Sequence, residues 1–219
     1  DPIWSYIWRH MIPGLLESGR RVITVDLVGC GRSDKPAKKS DYTLARHIDW
    51  IEKWLLANDL KNITLVCQDW GGTIGLNVVA DNPERFDRLV AANSGIPLGD
   101  GGNRFTFWWL KIMKWMPLFP FELAFKRVIR NPEFSNSEFD AYSKAPFPRR
   151  KYQAGILQCP QLITVYPDNP GLPQNLAAWE KLKSFEKPVL TLFGNKDPQT
   201  GLIPASRMIL TSPRRPGFE

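Results

Sequence analysis

The 219-residue chain has few of the features that fix a function class at sight. No run of 18 apolar residues is present, so no segment is long and apolar enough to span a bilayer as a helix. The N-terminus shows no signal-peptide pattern, and the expectation is a cytoplasmic protein with no membrane partner. Cysteine is scarce. The three present, Cys30, Cys67 and Cys159, are odd in number and lack metal-ligand spacing, which excludes a disulfide framework and favours reduced thiols. Histidine is scarcer still, with only His10 and His47. A formal charge of +7 could attract a polyanion. However, the cations are dispersed through Arg20-Arg21, Lys38-Lys39 and Arg149-Arg150-Lys151 without forming a basic helix, so no nucleic-acid partner is expected. Internal repeats and low-complexity tracts are also lacking. The chain opens on Asp1 rather than Met, and its natural beginning is expected upstream.

What is present is an α/β pattern. Apolar residues at helical spacing (Trp4, Ile7, Trp8, Met11, Ile12) precede a short buried-type strand over 21–26. The loop that follows, Leu27-Val28-Gly29-Cys30-Gly31-Arg32-Ser33-Asp34-Lys35-Pro36, turns on two glycines. Its Gly-Cys-Gly is a weak phosphate-loop candidate without the third Gly or the Lys-Ser/Thr pair, so nucleotide binding is set aside. Leu44, Ile48, Ile51, Trp54 and Leu55 predict a helix within 43–60, followed by a strand over 63–67, a helix over 72–80 and a strand over 89–94. Such alternation builds a mostly parallel sheet with right-handed crossovers. From residue 95 to about 185 the alternation stops and helical stretches separated by prolines take over, including an aromatic helix over 104–115. The strand signal resumes over 187–193. The expected division is a core over 1–95, a helical cap over 96–185 inserted after the third strand, and a second part of the core over 186–219.

The stretch Ile63-Thr64-Leu65-Val66-Cys67-Gln68-Asp69-Trp70-Gly71-Gly72 organises the rest. A β-branched run stops at a carboxylate and a glycine pair opens a helix, so Asp69 stands at the apex of a strand–turn–helix. Gly71 supplies the small residue required after the apex, and Cys67 stands where the usual pattern has its first Gly. Two readings are open at this point. An apex carboxylate can attack carbon and form an ester, or Asp69 can be an Asx turn or helix N-cap. Asp197, after the last predicted strand, also falls at the carboxyl end of a strand, where open α/β sheets place their sites.

The ordered set of motifs resembles the α/β-hydrolases, and among them the haloalkane dehalogenases. It consists of Asp1-Pro2-Ile3-Trp4-Ser5-Tyr6 through Pro13, the loop from Asp26 to Pro36, Val66-Cys67-Gln68-Asp69-Trp70-Gly71-Gly72, Ala145-Pro146-Phe147-Pro148, Tyr152-Gln153-Ala154-Gly155, and Gly194-Asn195-Lys196-Asp197-Pro198. The resemblance implies that Asp69 displaces halide from an sp3 carbon of a small halogenated aliphatic substrate. Water then hydrolyses the ester with no cofactor or metal. It implies that the indole of Trp70 binds the released halide together with a cap Trp, chosen as Trp108 over Trp109 and Trp115. It also assigns Asp197 as the acid that orients a catalytic His, and the backbone N–H groups of Asp1 and Trp70 as the oxyanion hole.

The chain departs from the family pattern at its ends. No His follows Asp197, and no His-Gly pair precedes Asp1. The expectation is a fragment lacking N- and C-terminal parts of the fold, able to form the ester on Asp69 but not to turn over. Two rivals remain at this level. An epoxide hydrolase would use Tyr142, Tyr152 or Tyr166 as acids, and a non-catalytic relative would account for the missing His.

Overall fold

A computed structural model describes residues 4–100, 108, 110–112, 114 and 136–194. The chain forms two compact units, one including residues 43–108 and those from 162 onward, the other residues 2–42 and 109–161.

The first unit is built on a parallel sheet, with β1 over Ile63–Gln68, β2 over Phe86–Ala92 and β3 over Val189–Leu192 in the order β1-β2-β3. Gln68 pairs with Ala92 and Ala92 with Leu192, so the strands end level with one another. Parallel neighbours require a crossover. Between β1 and β2 it is the helix over Trp70–Asp81. That helix carries no charge before its last residue and is buried nearly all round, as expected of a helix without a polar face. Gly75 lets it lie close to the sheet, since a Cβ there would stand 3.1 Å from Leu65 Cδ2. It packs against two amphipathic helices, one over Leu44–Ala57 and one over Leu172–Leu182. The first is capped by Thr43, whose side chain accepts from the Arg46 N–H and satisfies one of the donors a helix start leaves orphaned.

Several buried polar groups of this unit are paired with one another. Asn77 Nδ2 donates to Asn175 Oδ1 at 2.9 Å, and Asn175 Nδ2 donates to Thr164 Oγ1 at 2.6 Å and to the Pro97 carbonyl at 3.0 Å. Thr164 Oγ1 donates to the same carbonyl at 2.9 Å, and the Gly99 N–H donates to the Thr164 carbonyl. This network ties the segment leaving β2 to the helices over Trp70–Asp81 and Leu172–Leu182.

In the second unit, residues Ser5–Trp8 form a 3-10 turn and Ile12–Glu17 a short helix. The single helix expected from Trp4 to Ile12 is therefore two pieces, and the second starts where Pro13 can sit in the first turn without losing a hydrogen bond. Helices over Asn136–Ser143 and Ala154–Gln158 complete the described part. Cys30, Phe139, Tyr142, Phe147 and Ile156 form its core, with Trp4, Tyr6, Ile7 and Leu27 packed against them. The Gly29-Cys30-Gly31 loop folds around a carboxylate of its own chain. Asp26 accepts from the N–H groups of Ser5 and Arg32, and Gly31, at φ +49°, has no room for a Cβ beside it.

The strand expected over 21–26 is not formed among the described residues, and Ile23 and Val25 are exposed. Sequence supplied the β-branched residues, but a strand exists only where a neighbour pairs its backbone. The helical region after residue 95 accordingly follows the second described strand, not the third. β2 begins earlier than expected, at Phe86, which is buried and pairs with Ile63 despite the Asp87-Arg88 that follow it. Among the described residues, no helix is long and apolar enough to cross a membrane, and no cluster of side chains could hold a metal ion.

Candidate active site

Because the strands end in register, Asp69 and Asn93 leave the sheet side by side at its carboxyl edge. Both have positive φ, +50° at Asp69 and +42° at Asn93. Asp69 combines φ +50° with ψ −122°, a conformation that costs a non-glycine residue about 1–3 kcal/mol and persists only where the surroundings enforce it. The surroundings here are specific. The Asp69 carbonyl accepts from the Gly72 N–H at 2.9 Å, from the Thr73 N–H at 3.4 Å and from Ser94 Oγ at 2.5 Å.

Asp69 occupies the N-cap position of the following helix, yet its side chain makes no capping hydrogen bond. That observation speaks against the N-cap reading. An Asp kept for capping would accept from an N–H of the first turn; this carboxylate is half-buried at the sheet edge and is not used that way.

The glycine that makes the turn possible is not the one expected. A Cβ on Gly71 would only reach Cys67 Cβ at 4.0 Å, an ordinary contact, whereas a Cβ on Gly72 would collide with Ser94 Oγ and Cβ. Close approach of helix and sheet therefore occurs one residue later than the sequence pattern suggested. Cys67 fits in place of the usual first glycine, buried, with its Sγ 3.5 Å from the Val90 carbonyl. Burial pushes its thiol up to about 12, so it is no competing nucleophile at neutral pH.

Trp70 is buried and is the first residue of its helix. Its backbone N–H has no carbonyl one turn back to donate to, and among the described residues neither that N–H nor the indole N–H makes a hydrogen bond. Two donors of one residue are thus uncommitted next to the Asp69 carboxylate. Asn93, which sequence reasoning passed over, bridges two strand ends: its N–H donates to the Leu192 carbonyl and its Oδ1 accepts from the Gly194 N–H, each at 2.8 Å. Ser94 was also missed. A hydroxyl just after a strand carries no signal of its own, and only the fold brings it onto the carbonyl of a residue 25 positions earlier.

The profile of the alpha/beta hydrolase fold family matches residues 2–202. Haloalkane dehalogenase 1 of Mycobacterium tuberculosis is 42% identical over 204 residues, covering 92% of this chain and 67% of that protein. The haloalkane dehalogenase of Psychrobacter cryohalolentis is 45% identical over 91% of this chain and 66% of its own length. The chain belongs to the haloalkane dehalogenase family. Among solved structures, haloalkane dehalogenase DpaA of Paraglaciecola agarilytica superposes with a TM-score of 0.76 at 31% identity, covering 87% of this chain and 64% of that one. The chain thus spans about two thirds of the length of the haloalkane dehalogenases it matches.

Of the other site residues expected from the haloalkane dehalogenase resemblance, Trp108 lies on helical backbone with its side chain 57% exposed. Asp197, Asp1, Trp109 and Trp115 lie outside the described residues. Neither histidine belongs to this edge of the sheet. His10 is exposed near Glu138 in the second unit. His47 is buried in the helix over Leu44–Ala57, where desolvation, helped by the charge of Arg46, lowers it to about 4 and keeps it neutral.

Proposed function

We propose that the protein cleaves the carbon–halogen bond of small haloalkanes through an ester on Asp69, giving an alcohol and a halide ion. The observation that supports this reading most is the Asp69 carboxylate itself, raised on a strained turn at the end of β1, occupying a cap position and not capping.

In the first step a carboxylate oxygen of Asp69 attacks the sp3 carbon from the side opposite the halogen. A C–O bond forms as the C–X bond breaks, and the bonding pair leaves with the halide. The growing negative charge needs donors in an apolar setting, and the indole N–H of the buried Trp70 meets that need without itself titrating. Trp108 is the second donor in this reading.

In the second step water adds to the ester carbonyl of Asp69 and its proton passes to a general base. The resulting oxyanion is held by the backbone N–H groups of Trp70 and Asp1. Collapse expels the alcohol and restores the carboxylate, so R–X and water become R–OH, a proton and X⁻. Asp197 is the acid that would orient the base, and the 219 residues contain no histidine beyond it. No cofactor or metal enters either step. The reading includes a core over 1–95 and 186–219 with a helical cap over 96–185. It also includes a cytoplasmic location, supported by three buried free thiols.

Of the two rivals, the epoxide hydrolase is not favoured. Tyr142, one of its candidate acids, is spent in the core of the second unit, and the relatives described above are haloalkane dehalogenases. Exposure of the folded chain to 1-bromobutane tests the proposal. Intact-mass and peptide spectrometry should find one butyl group on Asp69 with release of one bromide, and none in D69N. A folded chain whose Asp69 stays unmodified would overturn it.

A further inference from the structure

The carbonyl of Asp69 and the N–H of Trp70 are two ends of one peptide unit. The unit is planar, and no cis peptide occurs among the described residues, so the C=O and N–H point in opposite directions across a rigid plate. Whatever fixes the direction of the carbonyl therefore fixes the direction of the N–H. Two of the three groups holding the carbonyl, the Gly72 and Thr73 N–H groups, belong to the helix that the plate begins, and the Thr73 bond is long at 3.4 Å. The third is Ser94 Oγ at 2.5 Å, from the segment just beyond β2. Ser94 is 4% exposed, and the missing Cβ of Gly72 leaves the space its hydroxyl occupies. Next door, Thr73 Oγ1 donates to the Gly95 carbonyl at 2.9 Å.

We propose that Ser94 is a positioning residue for the oxyanion donor: by holding the Asp69 carbonyl it aims the Trp70 backbone N–H at the ester oxygen during hydrolysis. The assignment rests on the proposed function. It also separates the two chemical steps. In the displacement the carboxylate loses charge to the departing halide, so a backbone donor aimed at it gains nothing and slightly retards the attack. In the hydrolysis a full negative charge develops on the ester oxygen, where an aimed N–H stabilises the transition state directly. Loss of the Ser94 hydroxyl should therefore act on the second step and spare the first.

The test follows a single alkylation of the full chain by 1-bromobutane with intact-mass spectrometry, measuring both the appearance of the adduct and its decay, with imidazole supplied as an external base. Wild type, S94A and T73V are compared. T73V removes a neighbouring buried hydrogen bond that does not touch the 69–70 peptide. In S94A the adduct should form within about threefold of the wild-type rate and decay roughly tenfold or more slowly, a fraction of the loss seen when an oxyanion donor is deleted outright. T73V should lower the melting temperature while leaving the ratio of the two rates as in wild type. Equal effects of S94A on both steps, or the same split in T73V, would overturn the assignment and reduce Ser94 to a packing role. Absence of any adduct in the wild type is a different result: it removes the proposed function itself.

Discussion

At the scale of single residues, histidine is the most informative. With two in the chain, either could be suspected of catalysis, yet His47 is buried and held neutral by desolvation, with its pKa lowered from 6.5 to about 4. The consequence for stability follows from proton counting. Between pH 6.5 and 4 the unfolded chain binds a proton at this site that the folded chain refuses, so stability is full above about 6.5 and declines as the pH falls through that window. The shift corresponds to a loss of about 3 kcal/mol at its acid limit. Denaturant titrations across this range should show the decline in wild type, and a flatter profile in H47Q. The place of Asp69 at the apex of the turn was legible because a carboxylate between a β-branched run and a glycine pair is rare punctuation. Ser94 was not, because its role depends on a contact 25 positions away that no local pattern encodes.

At the scale of elements, strands and helices with strong internal patterns emerged where the sequence placed them. The helix over Leu44–Ala57 has an apolar stripe of Leu44, Ile48, Ile51, Trp54 and Leu55 and a Thr cap, and β1 carries the β-branched Ile63, Thr64 and Val66 with a glycine-rich stop. The failed strand over 21–26 had the right residues and no paired neighbour among the described residues, a failure that propensity cannot foresee. The placement of the tight glycine at 72 instead of 71 has the same origin, since which glycine is squeezed depends on where the next strand's exit passes. That exit is held by the Asn77–Asn175–Thr164–Pro97 network. Replacing Asn175 by Ala removes its hydrogen bonds to Asn77, Thr164 and Pro97 at once, while Thr164 Oγ1 keeps its bond to the Pro97 carbonyl. The expected cost is about 1–3 kcal/mol, with slower decay of the Asp69 adduct because the segment carrying Ser94 loosens. Thermal melts and the butylation assay check the two halves separately.

At the scale of the whole molecule, family membership was readable from the order of motifs along the chain, more than from any one of them. The two-unit arrangement was not, because it groups residues before 43 with residues 109–161, far apart in sequence. The thiols report on the integrity of the fold as a whole. Cys30, Cys67 and Cys159 are all buried, and burial pushes the first two up to about 12. An aromatic disulfide reagent should titrate essentially none of them in the native protein at pH 8 and all three in denaturant. Prompt native labelling would show that the buried clusters open readily.

The space at Gly72 carries a last implication, for inheritance instead of chemistry. A methyl added at 72 has nowhere to go except the volume held by the side chain at 94. The two positions therefore share one allotment of atoms, and substitutions at them cannot be judged singly. A lineage that acquires Ala at 72 is pressed to shrink residue 94, giving up the hydroxyl that steadies the turn. Divergent relatives with a bulkier residue at 72 would then need some other anchor for the carbonyl of their nucleophile.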